Sequence, residues 1–164
     1  MDFFEVVKKR ASIRDYSGKS IKMIELEIII DSGRVAPTAR CEEPWDFIVV
    51  QDKNMLLKLA QIAPNGKFLE AASAAIIVVA KNTKYYLEDG CAATENMLLA
   101  ACALGIGSCW VAGDKKPYEG EILKLFVVPT GYKLVSIISL GYPKGDFSPH
   151  SKRLLQDVLH NEKF

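Results

Sequence analysis

Charge of one sign is what this sequence most plainly lacks. Its 164 residues carry 21 basic and 20 acidic side chains, a formal net charge of +1. Such a chain has no global field with which to hold nucleic acid or an anionic membrane, so any anion it binds must be held by a local cluster. Histidine is scarce, and His150 and His160 do not stand at ligand spacing to each other or to the cysteines. Cys41, Cys91, Cys102 and Cys109 form no C-x-x-C pair, and three of them lie in strongly apolar surroundings. These patterns argue against zinc and a disulfide framework, and for reduced thiols in a cytoplasmic protein. The longest apolar stretch, Met97 to Ile106, falls well short of the ~20 residues of a membrane span. The start, Met1-Asp2-Phe3-Phe4-Glu5, is acidic and then amphipathic, which is wrong for a secretory signal. A Walker loop, a G-x-S-x-G elbow and an H-E-x-x-H motif are all missing. A protein without a marked nucleophile or metal site often takes its chemistry from a cofactor.

What is present reads as one folded, soluble domain over residues 1–164, 49% apolar and 25% charged. Phe3, Val6, Val7 and Arg10 follow helical spacing, which predicts a short amphipathic helix over 2–9. Ser20 is placed to cap a second helix running to about Val35. Trp45 to Val50 is β-branched and aromatic, hence a strand, and Asp52 can cap a helix through Leu59. A looser loop with Pro64, Asn65 and Gly66 follows. Ala74 to Ala80 shows no alternation, which suits a strand covered on both faces. Residues 89–104 form a helix that is apolar all round after Asn96, so it must be buried in the fold or against another subunit. Gly105 closes it, Ser108 to Val111 is a short strand, Pro117 opens a helix, and Tyr132 to Leu140 is a further strand. The last fourteen residues are polar and irregular. There is no repeat, low-complexity tract or linker, and a sheet with helices on both faces is the economical architecture.

Three stretches stand out. If the chain after the first helix is extended, Arg10, Ser12 and Arg14 point the same way, and two guanidinium forks with a hydroxyl between them can wrap a phosphate. The same run would also serve as a solvated basic patch. Pro37-Thr38-Ala39-Arg40-Cys41-Glu42-Glu43-Pro44-Trp45 is a loop stiffened by two prolines, open to a flat ligand or simply a connection. Gly105 to Gly113 superficially resembles a dinucleotide fingerprint. Its glycines follow a helix and precede a strand, and Trp110 stands where the third glycine belongs, so that motif is rejected.

In this order the stretches resemble the FMN-dependent nitroreductase family. Arg10, Ser12 and Arg14 match its R-x-S-x-R-like run, and Pro37, Thr38, Pro44 and Trp45 align with a P-S-x-x-N-x-Q-P-W-like loop. Leu104 through Gly113 matches a G-L-G-T-C-W-I-G-like turn. Glu121 through Pro143 corresponds to a late E-L-x-x-x-L-x-x-P-x-G-Y run ending in L-G-Y-P, and Lys152, Arg153 and Leu154 to a K-R-L ending. The match covers nearly the whole chain, and five motifs fall in register.

The resemblance implies an α+β, three-layer α/β/α fold whose central sheet is mixed and mostly antiparallel, with FMN at a two-fold dimer interface. Arg10, Ser12, Arg14, Lys152 and Arg153 would hold the phosphate. Pro37, Thr38 and Ala39 would come from the partner subunit and lie along the isoalloxazine, with Cys41 and Glu43 in the same loop. Asn65 and Lys67 would reach the pyrimidine edge, and backbone N–H near Ala112 and Gly113 would point at the flavin N5. NAD(P)H would deliver a hydride to N5 and leave, and a nitroaromatic, quinone or similar flat acceptor would take its place. No side chain is required as acid or base, since the flavin carries the electron chemistry.

One departure matters. Where the family has Asn and Gln, this sequence has Cys41 and Glu43. An amide both donates and accepts, a carboxylate only accepts, and a thiol does either poorly. A carboxylate near reduced, anionic flavin is also repulsive. Two other readings therefore stand beside the oxidoreductase: a flavin-binding or storage protein with little turnover, and a relative that fragments flavin, dehalogenates or dehydrogenates. The chain is short for the family and lacks the insertion that often covers the active site, so it carries no acceptor specificity to read.

Overall fold

The segment Ala74–Lys81 organises the molecule. Its seven residues from Ala74 to Ala80 are all buried, as the unbroken apolar run predicts. The computed structural model, which describes residues 1–164, places it as β2 inside a four-stranded sheet with β1 (Trp45–Val50), β3 (Gly107–Ala112) and β4 (Tyr132–Gly141). The spatial order is β1-β2-β4-β3, and every pairing is antiparallel. The one parallel contact on the sheet is a single bridge between Ser12 and Ser108. Alternate β2 side chains go to opposite faces. Ile76 and Val78 join Leu26 and Ile29 of α2 (Met23–Arg34) and Met97 and Leu98 of α4 (Tyr86–Ala103) in one core. Ile77 and Val79 join Leu56 and Leu59 of α3 (Lys53–Ile62) and Ile122 of α5 (Glu119–Leu125) in the other. Each such side chain contributes about 1.5–3 kcal/mol by leaving water. Two apolar cores separated by one sheet make the three layers.

Most element boundaries lie within three residues of expectation. α1 (Phe3–Lys9) is capped by Asp2, which accepts from the Glu5 N–H while Glu5 reaches back to the Asp2 N–H. Asp52 caps α3 by accepting from Met55 N–H at 2.9 Å. Gly105 closes α4 in the left-handed region, at φ 74°. Ser20, in contrast, does not cap α2. The helix starts at Met23 after an extended Lys22, because Ile21 must first sink into the core, where it is 2% exposed. The expected loop at Pro64–Gly66 is the first turn of a 3₁₀ helix, Pro64–Ala71. Pro117 stands just outside α5, which begins at Glu119 after Tyr118. Within one chain α4 keeps an open face: Ala103 is exposed, and Leu99 and Ala100 are half-buried. Residues 144–164 are exposed throughout, with one short 3₁₀ turn at Leu155–Asp157. No helix is long and apolar enough to cross a membrane.

Candidate functional site at the open edge of the sheet

β3 is an edge strand, and the chain that follows α1 runs along it. At Arg10 the backbone leaves the helix for φ −54°, ψ 126°. Ile13 N–H then donates to Ser108 O at 2.9 Å. The approach needs Gly107, since a Cβ there would lie 2.8 Å from Ile13 Cγ2. Ile13 is buried while Ser12 and Arg14 are exposed, so the alternation expected of an extended segment is present. The Arg14 guanidinium sits over the Phe68 ring, 5.6 Å from its centroid. Half-buried Arg10 lies 3.6 Å from the Glu95 carboxylate. The Cys109 thiol of β3 is buried. Burial pushes that thiol above its ordinary range, and Arg14, the Ser12 hydroxyl and Arg10 pull it back in that order. The Ser12–Ser108 bridge and the Ile13 N–H bond to Ser108 O set the Arg10–Arg14 segment along one end of β3.

The other end presents a backbone donor. In a strand the N–H and C=O of one residue point to the same side, and that side alternates along the chain. Ser108 O faces Ile13 on the outer edge, and Ala112, four residues on, turns its carbonyl to the same edge, where the Tyr118 hydroxyl donates to it. Ala112 N–H therefore points outward too, roughly 13 Å from Ser108 along the strand. Gly113 N–H does not: it donates to Val135 O at 3.0 Å. Beside this end runs the 3₁₀ helix. Gly66 is buried, and a Cβ on it would lie 3.5 Å from Val111. Its neighbours Asn65 and Lys67 are exposed, and Lys67 shares a hollow with Ala60, Gln61 and Glu70. Asn65 shares a cavity of about 350 Å³ with Lys116, Tyr118 and Glu121. Just beyond, Tyr86 donates to Asp114 at 2.5 Å, and that carboxylate pushes the phenol up to about 12.

The remaining sequence-derived residues lie elsewhere. Pro37, Thr38, Ala39, Cys41 and Glu43 belong to the loop that leads into β1, the opposite edge of the sheet. Three strand spacings, roughly 14 Å, separate that edge from β3. Arg40, Cys41 and Glu43 hold left-handed backbone at φ 59°, 56° and 45°. Lys152 and Arg153 lie on the exposed tail, where Arg153 donates to the carbonyl of Asp157 within its own turn. Four further residues touch these groups without having been marked by the sequence: Glu95 beside Arg10, Phe68 beneath Arg14, Tyr118 on Ala112, and Asp89, which accepts from Ala39 N–H at 3.0 Å. Asp89 and Glu95 come from α4, far along the chain from their partners. Only Phe68, next to Lys67, carried a local signal.

Comparison with known proteins gives the family. A family model described as "Putative TM nitroreductase" matches residues 2–164. A "Putative NADH dehydrogenase/NAD(P)H nitroreductase" of Archaeoglobus fulgidus is 40% identical over 169 residues, spanning 98% of this chain and 97% of that protein. The solved "FMN-dependent Nitroreductase" of Clostridium difficile R20291 superposes with a TM-score of 0.92 at 30% identity, covering 98% of this chain and 99% of that one. "Iodotyrosine deiodinase 1" of Mus musculus is 25% identical over 195 residues, covering 96% of this chain and 68% of that protein. A match running the whole length of the chain, at the level of sequence and of fold, places this protein in the nitroreductase family.

Proposed function

We propose that the chain is an FMN-dependent oxidoreductase that moves electrons from NAD(P)H to a nitroaromatic, quinone or similar flat acceptor, and that it works as a homodimer. The observation that carries this reading is the outer edge of β3. Arg10, Ser12 and Arg14 lie along one end of it, and an outward Ala112 N–H lies at the other. The residues fit the cofactor. Two guanidiniums and a hydroxyl suit a phosphate, exposed Asn65 and Lys67 suit the polar edge of a ring system, and an unpaired strand N–H suits a ring nitrogen. Bound FMN would supply the hydride and electron chemistry, alternating between NAD(P)H and the acceptor in a ping-pong cycle.

The chain's own residues would bind, orient and shield. The Pro37–Glu43 loop sits on the opposite sheet edge from the β3 cluster, so a site using both is built from two chains. An exposed apolar face supports this. Phe3, Phe4, Ile24, Ile28 and Val35 are each at least 46% exposed, and Phe3 and Val35 line a hollow of about 380 Å³ together with Leu99 and Ala100. A second copy would cover it. Lys152 and Arg153 would then reach the partner's phosphate site, with Leu154 and Leu155, both exposed, anchoring the tail. The four cysteines are free, in keeping with a cytoplasmic setting.

The test is a visible absorption spectrum of the purified protein with and without added FMN, followed by anaerobic NADH or NADPH. Flavin bands that survive gel filtration and bleach with the nicotinamide are the expected result. Protein that takes up no flavin when it is supplied refutes the cofactor. Loaded protein that oxidises neither nicotinamide with any acceptor refutes the reaction.

A further inference from the structure

Asp89 is the one charged side chain buried under the loop that precedes β1. It is 4% exposed, in the first turns of α4. One carboxylate oxygen, Oδ1, accepts the Ala39 N–H at 3.0 Å, and the other, Oδ2, has no partner. A buried carboxylate with half its acceptor capacity empty is costly to keep, so its position calls for a reason other than stability. The loop above it supplies one. Arg40, Cys41 and Glu43 all hold left-handed backbone, which non-glycine residues keep only where their surroundings over-determine it. Within the loop there is little to do so: Thr38 makes no capping side-chain bond, and Arg40, Cys41 and Glu43 are exposed. The Arg40 guanidinium reaches only the Tyr85 ring, 6.0 Å from its centroid. The bond from Ala39 N–H to Asp89 is the only hydrogen bond between this segment and a side chain of the core.

We propose that Asp89 is a positioning residue: through the Ala39 N–H it sets the shape of the Pro37–Glu43 loop, and thereby the grip of that loop on the flavin of the partner subunit. The inference rests on the FMN reading above. It also accounts for the substitutions at Cys41 and Glu43. Neither side chain anchors the loop, so both are free to vary while the tether from α4 keeps the backbone in place.

The experiment measures FMN dissociation constants on the full-length protein for wild type, Asp89→Asn, Asp89→Ala and Ala39→Pro, with thermal midpoints alongside. Asn keeps an acceptor for the Ala39 N–H, whereas Ala removes it. Proline at 39 removes the donor instead. Its fixed φ suits the first position of a 3₁₀ turn, and Thr38 at φ −127°, ψ 147° already has the extended backbone that precedes proline. The expected result is an affinity for Asp89→Asn within about threefold of wild type, and losses of about tenfold or more for Asp89→Ala and Ala39→Pro. Because both act on one bond, the double variant should lose no more than the weaker single one. If Asp89→Ala fails to fold, Ala39→Pro and Asp89→Asn decide alone. Wild-type affinity in Ala39→Pro, or losses that multiply in the double variant, overturns the proposal. Equal loss in Asp89→Asn and Asp89→Ala overturns it too. If wild type itself binds no FMN, it is the cofactor reading that fails.

Discussion

Replacing the arginines one at a time tests the β3 edge most directly. A hydrogen bond to a charged group contributes about 1.5–3 kcal/mol, so Arg10→Ala or Arg14→Ala should weaken FMN roughly 10- to 150-fold. The structure separates the two. Arg14 has no carboxylate partner, only the Phe68 ring and a long bond to Ser12 O at 3.4 Å, so on the proposed reading its loss would remove a phosphate ligand and nothing else. Arg10 stands 3.6 Å from Glu95. Without the guanidinium, that carboxylate is left beside the phosphate. At about 6 Å in a watery dielectric, a carboxylate repels each phosphate charge by roughly 0.7 kcal/mol, about a threefold effect. Two consequences follow. Glu95→Gln alone should tighten FMN two- to fivefold, and combined with Arg10→Ala it should recover a similar factor. The assay is quenching of FMN fluorescence at two salt concentrations, since the Glu95 effect should shrink as salt screens a side chain that is 48% exposed. Affinity within twofold of wild type in both single arginine variants would refute the phosphate assignment. Weaker binding in Glu95→Gln would refute the electrostatic account of Arg10.

Val127 follows α5 at the position where glycine is usual. Its N–H donates to Lys124 O and that of Val128 to Leu123 O, with φ 53° and 87% exposure. Removing the side chain relieves about 1–2 kcal/mol of left-handed strain against about 0.5–1 kcal/mol of added chain entropy. Val127→Gly should therefore raise the thermal midpoint by about 2–4 °C, and a fall in differential scanning would show that Val127 packs on something. At Gly90 a Cβ would lie 2.7 Å from buried Val135. Gly90→Ala should cost about 1–3 kcal/mol in denaturant unfolding, and a neutral result would mean that α4 can shift. Tyr16, Tyr86, Tyr118, Tyr132 and Tyr142 all have raised pKa values: burial is the main cause for Tyr16 and Tyr118, and hydrogen bonds to Asp114, Asp46 and Glu25 for the others. The folded state thus holds phenolic protons that the unfolded chain gives up from about pH 10. Their contribution is fully present below that pH and is lost as pH rises through the folded values, about 12 for Tyr86. Phenolate absorbance should lag free tyrosine above pH 10 and then jump on unfolding; a titration that follows free tyrosine would contradict these contacts.

The amino-acid pattern by itself pointed to β2, because a short, unbroken run rich in β-branched residues such as AAIIVVA suits a strand covered on both faces. It determined α1 and α3, whose caps at Asp2 and Asp52 are written within three residues of the groups they satisfy. It also determined the two-residue period that puts Ser12 and Arg14 outside and Ile13 inside, since extended backbone has no other period. Where α2 begins was not legible in the same way. Ser20 is a good local cap, but the burial of Ile21 overrides it, and burial is a property of the folded molecule. The site divides along the same line. Arg10, Ser12 and Arg14 are neighbours in the chain, so their pattern is visible in it. Glu95 beside Arg10, Tyr118 on Ala112 and Asp89 under Ala39 are partners chosen by packing across the sheet. Only the tertiary structure decided that β1 and β3 are opposite edges, because strand order comes from which faces bury best and not from any one strand's residues. That order places the Pro37–Glu43 loop and the Arg10–Arg14 segment at opposite edges of the sheet.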